Sequence, residues 1–104
     1  MAQFDVYRND NPRTKNRIPF LLDIQHDLLS QLTTRVVIPL VLKDALSVPA
    51  DILNPVFIID GRDVVLSTAE LAGVDKKHLG HVVTNVRPDR NKIIAAIDLL
   101  VTGI

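Results

Sequence analysis

The chain has 104 residues, enough for one domain with a modest core, and its twelve basic and twelve acidic residues cancel. That balance removes the bulk attraction by which nucleic-acid binders hold phosphate. The absence of cysteine excludes a disulfide framework and thiolate chemistry, and no run approaches the ~20 apolar residues of a membrane span.

The start, "MAQFDVYRND", lacks the basic head and apolar run of a signal peptide, so the expectation is a soluble, cytoplasmic protein forming one domain over residues 1–104. "QFDVY" (Gln3 to Tyr7) alternates polar and apolar residues like a half-buried strand, with Phe4 and Val6 toward the core. Arg8 to Arg17, dense in Asn, Asp and Arg around Pro12, reads as an exposed hairpin loop; Arg8, Arg13, Lys15 and Arg17 form at most a small basic patch there. A second strand is expected over Ile18 to Gln25 and a third over the β-branched Thr34 to Leu40. Pro39 cannot donate to a ladder, which places it at a strand end or an unpaired edge. "SVPADILNP", broken by Pro49 and Pro55, reads as loop. "VFIIDGRDVVLST" is a hairpin signal, two β-rich runs around Asp60-Gly61, and His81 to Val86 is one more strand.

From Pro88 the period changes to that of a helix. Pro88 and Asp89 suit a helix N-terminus, and Ile93, Ile97, Leu100 and Ile104 follow helical spacing, with Ile94 and Val101 widening the stripe. The last base is Lys92, so the C-terminal turns carry Asp98 where the helix dipole favours a cation. Two readings stand: a frayed end with Asp98 in water, or an end shaped for a partner at some expense of stability. The chain then closes on an apolar residue after one glycine, Gly103-Ile104.

Other chemistry is thin. His78 and His81, at i and i+3, have the spacing of one helix face but lack a clear third ligand for a metal. Asp60 and Asp63 flank a turn, where Asp is expected for backbone reasons, and Asp23 and Asp27 fall on either side of a strand end, so no paired-carboxylate active site emerges.

Taken together, "QFDVY", "LLDIQHDLL" (Leu21 to Leu29), "TRVVIPL", "PVFIIDG" (Pro55 to Gly61) and "NKIIAAIDLLVTGI" resemble, in order and spacing, the CcdB toxins of toxin–antitoxin pairs. The resemblance implies a mainly β (α+β) fold, a five-stranded antiparallel SH3-like barrel sheet with a small β-wing and a C-terminal helix, shared with MazF-type ribonucleases. It implies a homodimer that binds the DNA gyrase A subunit, traps gyrase on cleaved DNA and is neutralised by a partly disordered CcdA-like antitoxin, with DNA met only indirectly through that complex in transcription autoregulation. It implies no enzyme activity, cofactor or metal. Carried over residue by residue, the gyrase-binding set is Leu28, Leu29, Asp98, Val101, Thr102, Gly103 and Ile104, the Gly-Ile end entering a crevice of gyrase. The family pattern has Phe-Trp before Gly-Ile, the Trp stacking on a gyrase arginine, where this chain has Val101-Thr102. Neither offers an aromatic face to a cation, whereas Asp98 and the terminal carboxylate offer charge pairing instead. Leu28 and Leu29 taken singly would ordinarily be core residues.

Two alternatives remain open at this point. One is a MazF-like RNA-cleaving toxin on the same fold, with Arg35 of "TTR" holding phosphate and His26 in acid–base chemistry, a reading that neutral charge and few aromatic residues disfavour. The other is a degenerate toxin that no longer poisons gyrase.

Overall fold

The structure, a computed structural model, describes residues 1–45 and 51–103. The expected loop around Pro49 lies partly, and Ile104 wholly, outside the described residues. Seven strands are formed: β1 (Asp5–Asn9), β2 (Phe20–Asp23), β3 (Thr34–Leu42), β4 (Val56–Ile59), β5 (Arg62–Leu66), β6 (Ala72–Asp75) and β7 (Leu79–Asn85), followed by helix α1 (Arg90–Thr102).

All pairings are antiparallel. Five strands run in the order β6-β3-β2-β1-β7, and the β4–β5 hairpin adds to the far end of β3 as a wing. The sheet curls into a half-barrel. Arg8 on β1 reaches Asp60 in the wing's turn at 3.6 Å although two strands, β3 and β2, lie between β1 and the wing in sheet order. At roughly half exposure this ion pair marks the curvature rather than supplying much stability.

Strand alternation builds the core. Val6, Leu22 and Ile38 sit in register across β1, β2 and β3 and, with Phe20, Leu40, Phe57, Ile59, Val64 and Leu66, form the buried apolar cluster on the concave face. Helix α1 covers that cluster through Ile93 and Ala96, both fully buried, with Ile97 packed alongside. The rest of the apolar stripe stays outside: Ile94, Leu100 and Val101 are exposed.

The expected strand at Gln3 begins instead at Asp5. Phe4 is buried but has φ 71°, a left-handed backbone that an aromatic residue seldom adopts. It is held there from both sides, its N–H donating to the Asp23 carbonyl (2.7 Å) and its carbonyl accepting from Val86 N–H (3.0 Å). The hairpin expected at Asp60-Gly61 is present, both residues having positive φ (53° and 75°) as a primed two-residue turn requires.

Pro39 is a correction. It lies inside β3, the central strand, rather than at a strand end or an open edge. Its carbonyl accepts from Ser67 N–H at 2.9 Å, so its missing donor faces the same edge, at the step where the partner of β3 changes from β6 (pairing through Val37) to β5 (pairing from Leu40). No ladder bond is lost there, because no strand occupies that step.

Strand β6 was not anticipated, since "AGVD" has little β-propensity. It forms because Thr34–Val37 of β3 would otherwise leave backbone groups unpaired along one edge. Helix α1 starts later than Pro88: a 3₁₀ turn over Arg87–Asp89 contains the proline, and Asp89 occupies the N-cap without a side-chain capping bond. Among the described residues no helix is long and apolar enough to cross a membrane.

Candidate functional site

Residues on the same strands as the core, one position out of phase with it, are also buried, and several are polar. Tyr7, Asp23 and Arg35 are no more than 1% exposed and Gln25 is 5% exposed. The Asp23 carboxylate accepts from Arg35 Nε (2.7 Å) and Tyr7 Oη (3.0 Å) through one oxygen, and from Gln25 N–H (2.9 Å) through the other. Arg35 Nη2 donates to the Gln25 carbonyl (3.2 Å), while Nη1 has no partner among the described residues.

The electrostatics follow from burial. Desolvation, then the charge and hydrogen bond of Asp23, push the Tyr7 hydroxyl far above its ordinary value, so it stays a donor at any physiological pH. Burial would push Arg35 down, but the hydrogen bond and charge of Asp23 together outweigh it, and the guanidinium is held above its usual value. Arg35 is thus a structural cation. This corrects its assignment as a phosphate-holding group: its side chain is fully buried and already engaged by Asp23 and Gln25.

Beyond Gln25 the chain leaves the sheet, and every residue from His26 to Thr34 is exposed. The 3₁₀ turn Asp27–Leu29 carries the two candidate leucines, Leu28 at 86% and Leu29 at 50% exposure, so they are not core. Leu32 adds a third exposed apolar side chain. Side chains fasten this turn at several points. His26 Nδ1 accepts from Leu28 N–H (3.1 Å), Asp27 accepts from Gln3 N–H (2.8 Å), and Gln25 Nε2 donates to the Leu29 carbonyl (2.9 Å). Lys76 Nζ donates to the Ser30 carbonyl.

The other candidates gather on the last turns of α1. Asp98, Val101, Thr102 and Gly103 are all exposed. Thr102 turns its hydroxyl back to the Asp98 carbonyl (2.7 Å), and Gly103, at φ 77°, caps the helix by donating to the Leu99 carbonyl (3.1 Å). No base among the described residues pairs with Asp98. The helix lies against the 3₁₀ turns Thr68–Glu70 and Arg87–Asp89, and among the described residues no hydrogen bond or ion pair joins its last turns to the leucine turn. Ile104, the remaining candidate, lies outside the described residues.

His78 falls in a 3₁₀ turn and His81 in β7, not on one helix face; His81 Nε2 accepts a long contact from Arg8 Nε (3.4 Å). Among the described residues no group of three metal-ligating side chains converges. Sequence reasoning missed the Tyr7–Asp23–Arg35–Gln25 network. The only signal for it is positional: each member is one step out of phase with a core residue, which becomes visible only once strand register is known.

The family described as CcdB protein matches residues 3–103, and the chain belongs to that family. Membership supports a toxin. No curated protein matches the chain.

Proposed function

We propose that the chain is the toxin of a type II toxin–antitoxin pair that acts in the bacterial cytoplasm by binding the DNA gyrase A subunit and trapping gyrase on cleaved DNA. The observation that carries this reading is Leu28 at 86% exposure on a turn tied down by side chains. A large apolar side chain held outward in fixed geometry is what a protein-binding anchor requires, and nothing in folding alone asks for it. The second patch is the end of α1, where Asp98, Val101, Thr102, Gly103 and Ile104 complete the gyrase-binding set. With Thr102 in place of an aromatic residue, Asp98 supplies a guanidinium with charge pairing instead.

The exposed apolar side chains of Ile94 and Leu100 on the same helix support a homodimer, in which a two-fold axis covers apolar surface symmetrically. Neutralisation by a disordered antitoxin segment accounts for control of the toxin. Binding of that segment to the folded state alone raises the melting temperature with antitoxin concentration. The protein is no enzyme on this reading: the one arginine considered for phosphate is buried in an ion pair.

The test is incubation with gyrase, ATP and supercoiled plasmid, followed by denaturant and protease. Linear DNA accumulating in proportion to toxin supports the proposal. Intact plasmid, together with cleavage of labelled RNA by the same preparation, overturns it in favour of a ribonuclease; inertness toward both identifies a degenerate toxin.

A further inference from the structure

We propose that Gln25 is a positioning residue for partner recognition, coupling the buried Asp23–Arg35 ion pair to the presentation of Leu28 and Leu29; this rests on the reading of those leucines as partner contacts. Gln25 is 5% exposed and uses every polar group it has toward one end. Its N–H donates to Asp23 Oδ1 (2.9 Å) and its carbonyl accepts from Arg35 Nη2 (3.2 Å), which fixes its backbone to the buried pair. Its side-chain oxygen accepts from Val36 N–H on β3 (3.1 Å), which fixes the orientation of the amide. The amide nitrogen then donates to the Leu29 carbonyl (2.9 Å).

That carbonyl is a hinge point of the exposed segment, because it also accepts from Leu32 N–H (3.1 Å). One buried side chain therefore joins the Asp27–Leu29 turn and the turn after it to the buried Asp23–Arg35 pair. Without that tether the leucine turn would sample other conformations. Partner affinity falls by the fraction of time the presenting geometry is lost. Gln25 touches no partner in this account; it acts through the Leu29 carbonyl.

The test uses two variants in the full chain. Gln25→Met keeps length and volume without any donor, and Gln25→Glu keeps an acceptor for Val36 while removing the donor to Leu29 at neutral pH. Backbone hydrogen exchange is read at Leu29, Ser30 and Leu32, whose amides bond to His26, Asp27 and Leu29 within the segment, and binding to isolated gyrase A subunit is measured beside Leu28→Ala. We expect faster exchange at these three amides with the β2 and β3 amides unchanged, apart from Val36, whose acceptor Gln25→Met removes, and binding weakened on the order of ten-fold with both leucines intact. Exchange rising equally through β2 and β3 would make Gln25 merely structural and overturn the proposal. So would turn amides that exchange as in the wild type. Unchanged binding in both Gln25 variants, with Leu28→Ala still weakening it, overturns the coupling while leaving the functional reading intact. If Leu28→Ala itself leaves binding intact, the functional reading falls and the coupling with it, whatever the exchange shows.

Discussion

The two exposed patches are held in opposite ways. The leucine turn is fastened by Gln25, His26, Asp27 and Lys76, and through Gln25 it reaches a buried ion pair. The last turn of α1 is held by a threonine hydroxyl on its own backbone and a glycine cap, and it carries Asp98, which has no basic partner among the described residues, at the negative end of the helix dipole. On the proposed function, a turn already tied by side chains would lose little ordering entropy on binding. The other patch carries an unfavourable charge that, on the proposed function, a cationic partner would relieve.

The largest effect should come from breaking the anchor of the tethered patch. Asp23→Ala leaves the Arg35 guanidinium buried and unpaired, and the loss should be about 3–5 kcal/mol by urea denaturation. A loss under ~1 kcal/mol would show that water reaches the site and that the pair is not the anchor.

The same anchor should fail in alkali. The Tyr7 hydroxyl is raised in the folded state, so its contribution is fully present below the unfolded tyrosine value near pH 10 and is lost as pH rises toward the folded value. Stability should fall above about pH 10 by up to ~1.4 kcal/mol per pH unit, and Tyr7→Phe should remove that slope in a pH series of unfolding midpoints.

Changes at the helix-end patch should separate stability from binding. Thr102→Trp should restore a cation–aromatic contact and tighten gyrase binding by about 0.5–2 kcal/mol with no change in melting temperature. Asp98→Ala should raise stability by about 0.3–1 kcal/mol through relief of the dipole while weakening gyrase binding and its salt dependence. If Asp98→Ala instead unfolds the chain and whatever folds stays toxic, Asp98 is structural and the contrast between the patches collapses.

Leu28 should also be nearly silent in stability. At 86% exposure, Leu28→Ala should alter unfolding free energy by no more than ~0.5 kcal/mol while binding drops. A larger loss of stability would mean that the turn's apolar contacts, not its polar tethers, hold it.

Local physics alone determined much of this protein. Period-two alternation marks the strand around Val6, apolar and β-branched runs mark those around Leu22 and Ile38, Asp60-Gly61 specifies its hairpin turn, and the change of period after Pro88 marks the helix, because each depends on neighbours within a few residues. The likeness to the CcdB toxins was legible in the order of short segments spread along the chain. Tertiary structure alone decided the rest. Pro39 sits in the central strand because a gap between two partner strands happens to face it, and β6 pairs although its residues do not favour a strand. Asp23 and Arg35 look like ordinary surface charges in the sequence, twelve positions apart. They became a buried pair because strand register places both on the same face, and burial is a property of what lies across a sheet rather than of what lies beside a residue in the chain.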